Sequence, residues 1–188
     1  MKSYIEAIDK TRPITVGDNN PNGLQNANTQ EFRNKVSTVL AKNGEGLAGA
    51  NYSMGSMAGI HKTHPDWKII ATESASPSNS RGIYNTLSQY NKTGDYQCTA
   101  YDTNAVSWGN TARESWWYTI KDDFVSGEFI WTGFDYLGEP TPYSVYPVGV
   151  SSFGTIDTAG FAKDSFYLYQ SQWTSTPMVH LLPTNWDQ

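Results

Sequence analysis

The chain has 188 residues, enough for one domain or part of a larger one, with 38% hydrophobic residues to form a core and a formal net charge of −5. That acidic balance argues against nucleic acid and anionic membrane surfaces, which both select basic patches, and no apolar run approaches the ~20 residues of a membrane span. The single Cys98 excludes an internal disulfide and a cysteine-based zinc cluster, while a 14% aromatic content suits a neutral, polyhydroxylated partner.

The elements are taken in chain order. Residues 4–8 read as the end of a helix, closed by Asp9 and the turn before Pro13. Ile14-Thr15-Val16-Gly17 is a short β-branched strand, and the turn formers of Asp18-Asn19-Asn20-Pro21-Asn22-Gly23 come next. Thr29 then has the character of an N-cap, with Phe32, Val36, Val39 and Leu40 at helical spacing and an Asn43-Gly44 stop. A second strand is expected over 47–52, a helix over 53–62 and a third strand over 67–72, with Glu73 immediately after it. A helix over 82–90 leads into a polar segment reaching residue 109, and a further helix covers 111–121 with Trp116 and Ile120 on one face. The fourth strand covers 128–132, a Gly/Pro/Tyr-rich loop reaches Asp157, a helix covers 163–173, and a further strand begins near Met178.

Short apolar strands alternating with helices imply an α/β fold whose sheet is parallel. Polar groups gather directly after each strand, at Asp18-Asn19-Asn20, Asn51-Tyr52, Glu73 and the loop from Trp131 to Glu139. The C-terminal strand ends are where parallel α/β folds build their sites.

Several motifs dissolve on inspection. Gly44-Glu45-Gly46-Leu47-Ala48-Gly49 matches the dinucleotide fingerprint by letter, but its glycines end a helix and enter a strand, the reverse of what a pyrophosphate needs. His61 and His64 lie three apart with no third ligand near them, so neither a metal nor any cofactor is expected. Asn51-Tyr52-Ser53 and Asn91-Lys92-Thr93 are glycosylation sequons by letter only.

Other residues keep two readings. Glu73 is either a solvated surface group or, with the small Ser74, Ala75 and Ser76 leaving space above it, a nucleophile or general base. Asp135 and Glu139 are loop acids of a kind that often caps turns. Trp131 is a core aromatic or a ligand-facing platform.

The stretch Gly127-Glu128-Phe129-Ile130-Trp131-Thr132-Gly133-Phe134-Asp135-Tyr136-Leu137-Gly138-Glu139-Pro140 carries a family resemblance. So do Asp9-Lys10-Thr11-Arg12-Pro13-Ile14-Thr15, Gly49-Ala50-Asn51-Tyr52, Ile69-Ile70-Ala71-Thr72-Glu73-Ser74, Ser152-Phe153-Gly154-Thr155-Ile156-Asp157-Thr158-Ala159-Gly160-Phe161, and Phe166-Tyr167-Leu168-Tyr169-Gln170-Ser171-Gln172-Trp173 with His180-Leu181-Leu182-Pro183. Together they make the chain resemble the catalytic (β/α)8 barrel of glycoside hydrolase family 2, in its β-galactosidase-like branch. The resemblance implies four βα units, strands five to eight of a TIM barrel, over residues 1–176, with 177–188 opening a following β domain or forming a tail.

It also implies retaining hydrolysis of a terminal β-galactoside. Glu73 would be the nucleophile that forms a covalent glycosyl-enzyme, Tyr52 would steady its charge, and Trp131 would floor the sugar subsite. Asn51, Asp135 and Glu139 would contact hydroxyls. The family's acid/base glutamate comes directly after an asparagine, and no Asn in this chain is followed by Glu. The chain alone is therefore expected to be nearly inactive, its partners being the missing half of the barrel and flanking β-sandwich domains. Exposed strand edges would favour self-association. A β-glucuronidase or β-mannosidase of the same family is the alternative within this reading, and a non-catalytic carbohydrate-binding module the alternative outside it.

Overall fold

The computed structural model describes residues 2–19, 47–84 and 95–183. The helix expected after Thr29, most of the one over 82–90, the second sequon and the final residues fall outside them. In chain order the described elements are α1 (Lys2–Ile8), β1 (Leu47–Asn51), a 3-10 turn (Met54–Ser56), α2 (Met57–Thr63) and β2 (Lys68–Ala75). Then come α3 (Ala112–Ile120), β3 (Val125–Trp131), the two-residue strands β4 (Tyr136–Leu137) and β5 (Val150–Ser151), and α4 (Asp164–Trp173).

The main sheet is parallel, three-stranded and ordered β1-β2-β3, so the described residues form an α/β fold consistent with part of a barrel. The first of the four expected strands, Ile14–Gly17, is extended backbone without a ladder. It reaches β1 through the Thr15 hydroxyl, which donates to the Leu47 carbonyl at 2.9 Å, and through Asp18, whose carbonyl accepts from Asn51 N–H at 2.9 Å. Residues 174–183 contain no regular element, in place of the strand expected near Met178.

The chain divides into two compact units, Met1–Ser74 with Trp116–Phe129, and Ala75–Ser115 with Ile130–Gln188. The first has an apolar core of Ala48, Ala50, Met54, Met57, Ile60, Trp67, Ile69, Ala71 and Val125. Its pattern explains its elements. Met57 and Ile60 are one turn apart on α2 and turn inward, while Ile69 and Ala71 alternate along β2. Burying Ile60 and Ile69 completely is worth roughly 1.5–3 kcal/mol each. His61 and His64 pack as flat rings, stacked on Phe124 at 4.1 Å and Trp67 at 3.9 Å.

In the second unit, α3 begins with a reciprocal capping box. Glu114 N–H donates to the Thr111 hydroxyl at 3.3 Å, and Thr111 N–H donates to the Glu114 carboxylate at 3.1 Å. Asp102 accepts the next two free N–H groups, from Ala112 and Arg113, at 2.9 and 2.8 Å. The segment after α4 is pinned by the Tyr101 hydroxyl donating to the Pro183 carbonyl at 2.6 Å and by His180 on Asp164 at 2.6 Å.

Candidate active site

Six residues stand out from the sequence as site candidates, and they fall into two groups, each built by its own unit. Asn51, Tyr52 and Glu73 belong to the first. β1 and β2 run in parallel register from Leu47↔Lys68 to Ala50↔Ala71, then skip one residue so that Asn51 lies opposite Glu73. Asn51 Nδ2 donates to Glu73 Oε1 at 3.1 Å. The surplus residue, Thr72, donates its hydroxyl to Asn51 Oδ1 at 2.6 Å, which orients the amide so that its NH2 faces the carboxylate. Gly17 lies against the same side chain, since a Cβ there would meet Asn51 Oδ1 at 2.9 Å. Asn51 is buried, so the sequon it begins is occupied by this network.

Tyr52 comes next at φ 49°, a left-handed conformation sparse for a bulky residue, and its N–H donates to the Glu73 carbonyl at 2.8 Å. Positive φ at such a residue is a strain that recurs at functional sites. Glu73 is half-buried and lies within β2, not just beyond it. β2 extends to Ala75 because the residues after Glu73 are packed closely. Ser74, Ala75 and Ser76 are almost wholly buried, so their small size serves close packing and leaves no open space there. In the first unit Ser74 donates its hydroxyl to Glu128 at 2.6 Å. In the second, Ala75 N–H donates to the Ser115 hydroxyl at 2.8 Å, and its carbonyl accepts from Asn110 N–H at 2.8 Å.

Trp131, Asp135 and Glu139 belong to the second unit. Trp131 is half-buried, meets Tyr136 edge-on at 6.1 Å, and is followed by a cis peptide. The loop beyond it is zipped to residues 153–156. Thr155 N–H donates to the Thr132 carbonyl at 3.1 Å, Ile156 N–H to Gly133 at 3.0 Å, and Asp135 N–H to Ile156 at 2.8 Å. Gly154 permits this approach, because any Cβ there would strike the backbone at Phe134 and Asp135.

Asp135 is the most engaged of the six. Its Oδ1 accepts from Gly154 N–H at 2.8 Å and from Lys163 Nζ at 2.7 Å. Lys163 also donates to the carbonyls of Asn79 and Ser152, at 2.7 and 3.2 Å, so all three ammonium hydrogens have acceptors. The side chains are 9% and 2% exposed. Burial pushes the Asp135 carboxyl up and the Lys163 ammonium down, and their mutual attraction opposes both shifts. Glu139 is exposed; its carboxylate accepts from the Thr141 hydroxyl at 2.8 Å and its carbonyl is held by Ser151.

Thr72 and Lys163 escape a reading of the sequence. Lys163 has no local signal, since its carboxylate partner is 28 residues away. Thr72 is visible as a strand residue, but its role follows from the skipped pairing alone. Among the described residues no cluster of three His, Cys, Asp or Glu could hold a metal ion.

No family model matches the chain. β-Galactosidase BoGH2A of Bacteroides ovatus is 39% identical over 198 residues, an alignment covering 99% of this chain and 22% of that protein. A putative β-glucuronidase of Formosa agariphila is 41% identical over 87 residues, 45% of this chain and 8% of that protein. Among solved structures, a β-glycosidase from Bacteroides vulgatus shares the fold with a TM-score of 0.70 at 28% identity, covering 96% of this chain and 24% of that one. The chain thus spans about a fifth of the length of the curated relative that it matches throughout. Its likeness to that relative over nearly every residue, and to a β-glycosidase in fold, makes the chain a relative of glycoside hydrolase family 2.

Proposed function

We propose that the chain carries the nucleophile half of the catalytic barrel of a retaining β-galactosidase, residues 1–176 belonging to that barrel and 177–188 to the next β domain or a tail. The observation that carries this reading is the carboxylate of Glu73 held opposite Asn51 at the ends of two adjacent parallel strands, the end of the sheet where such folds do their chemistry. Glu73 attacks the anomeric carbon as the bond to the leaving oxygen breaks, giving a glycosyl ester; water then attacks the same carbon and releases Glu73 as carboxylate. The Asn51 side-chain Nδ2–H holds Glu73 Oε1 during the attack. Tyr52, the next residue along, steadies the charge of Glu73.

The leaving oxygen needs a proton from a second carboxyl about 5–5.5 Å from the first. That group comes from the four-fifths of the relative's length that this chain does not span. General acid help contributes about 10²–10⁴-fold, so the chain by itself hydrolyses ordinary glycosides very slowly.

A 2-deoxy-2-fluoro-β-galactoside with a dinitrophenolate leaving group tests the assignment, because that group departs without acid assistance. Intact mass and peptide mapping should find one adduct, on Glu73. Asn51→Ala should slow its formation about tenfold, the order of one hydrogen bond to a charged group. An adduct on another residue, or none in a folded sample, refutes the role of Glu73. β-Glucuronidase is the second reading, favoured by the Formosa agariphila match. Faster labelling of Glu73 by the corresponding fluoro-glucuronide would move the substrate to that class.

A further inference from the structure

The second unit carries an open cavity of about 450 Å³ whose lining includes Asp135, Tyr96, Tyr143, Arg81 and Asp157. It shares no residue with the Asn51–Tyr52–Glu73 group. Its size is within the range of small-molecule sites, about 300–1,000 Å³. We propose that this cavity is a saccharide-binding site for one neutral sugar unit of a larger glycan, the choice of a sugar resting on the glycosidase reading.

Three observations carry the proposal. The first is Asp135. Both of its protein contacts fall on Oδ1, so Oδ2 is left without a hydrogen bond among the described residues, on a side chain that is nine-tenths buried and lines the cavity. Lys163 fixes this carboxylate from behind, which presents a preplaced acceptor to a ligand hydroxyl. The second is aromatic. Tyr96 meets Tyr143 edge-on at 5.5 Å, and Tyr143 is itself anchored, its hydroxyl 2.9 Å from Cys98 Sγ. Tyr96 adopts φ 58°, a conformation that a bulky side chain avoids unless its surroundings impose it, and such residues gather at ligand sites. A tyrosine with its ring plane fixed in a polar cavity is suited to the apolar face of a pyranose.

The third observation selects neutral over acidic sugars. Each cation here already faces a carboxylate, Lys163 on Asp135 at 2.7 Å and Arg81 on Asp157 at 2.5 Å, and Arg81 also lies over the Phe161 ring at 4.7 Å. With Asp95 also in the lining, three carboxylates stand against two cations. A uronate or a phosphate would enter against that balance.

Gly149 provides a clean way to fill the cavity. It belongs to the lining, its φ is not left-handed, and a Cβ there would meet nothing within 4 Å, so Gly149→Trp can block the space without disturbing the packing. Lactose and methyl β-D-glucuronide are the probes, with affinities from ligand-observed NMR on the whole chain. Lactose should bind, and Gly149→Trp and Tyr96→Ala should each raise its Kd by about tenfold or more, while Glu73→Gln leaves it within about twofold. Lactose binding that survives Gly149→Trp, or that is lost in Glu73→Gln alone, overturns the proposal. So does glucuronide binding as tight as lactose through the same two residues. A failure of fluoro-sugar labelling at Glu73 with lactose binding intact would sink the glycosidase reading and leave the cavity's role standing.

Discussion

Replacing Lys163 by methionine removes one ammonium while keeping most of the stem's volume, and the structure indicates what that costs. Asp135 would keep Gly154 N–H as its donor but lose its counter-charge in surroundings where its side chain is 9% exposed. The carbonyls of Asn79 and Ser152 would each lose a donor as well. Breaking a buried pair by deleting one partner costs about 3–5 kcal/mol, much of a typical total stability of 5–15 kcal/mol. The effect has a definite pH dependence. A carboxyl whose folded-state pKa is raised is stabilising relative to the ionised form only while protonated. The penalty in Lys163→Met is therefore largest near neutrality and shrinks as pH falls through the raised value of Asp135 toward its ordinary 3.8. Asp135→Asn on top of Lys163→Met removes the stranded charge and should recover a large part of the loss, but not the two unmatched carbonyls. Urea denaturation at several pH values reads all of this. A cost below about 1 kcal/mol for Lys163→Met at pH 7, or a double variant less stable than the single one, would refute the account.

Two further substitutions probe the frame of the first unit. Gly49→Ala would drive a methyl into the Val16 carbonyl oxygen, with Thr15 Oγ1 at 2.7 Å and Thr72 Cγ2 at 2.8 Å. The expected loss is about 1–3 kcal/mol in urea unfolding, because the nearest of these contacts is with a backbone carbonyl, which has little room to shift. Glu128 is raised by burial, with hydrogen bonds from Ser74 and Thr119 acting the other way. Its folded-state pKa lies above 4.5, so its contribution is present below that value and lost as pH rises through the raised one. Glu128→Gln should therefore raise Tm at pH 7 and have little effect near pH 4; an equal change at both pH values would show that ionisation is not the cause.

The regular elements are readable because their apolar residues keep a period. β1 and β2 carry apolar runs rich in Leu, Ile and Ala, α2 places Met57 and Ile60 a turn apart, and the Thr111 to Glu114 spacing of a capping box marks the start of α3. The rest depends on contacts that no sequence window reveals. Ile14–Gly17 has strand composition, yet it meets β1 through one hydroxyl and one backbone bond, and composition cannot distinguish that from a ladder. Ser74, Ala75 and Ser76 suggest room above Glu73, whereas small residues are also what the chain uses where backbones meet closely. A Cβ on Gly109 would press on Ser76 Cβ at 3.0 Å. Of the candidate site, Asn51 and Glu73 can be picked out from strand ends and resemblance, while the salt bridge beneath Asp135 joins residues far apart in sequence.

The skipped pairing between β1 and β2 makes the position of Glu73 a matter of counting. Along a strand, successive side chains alternate between the two faces of the sheet, so one residue more or less reverses every side chain beyond it. From Ala50↔Ala71 onward, β2 uses two residues where β1 uses one. A deletion at Thr72 would therefore conserve every chemical group of Asn51, Tyr52 and Glu73 and still remove both the local bend that the surplus residue introduces and the hydroxyl that orients the Asn51 amide. At this point in the chain, length itself is under the same constraint as identity.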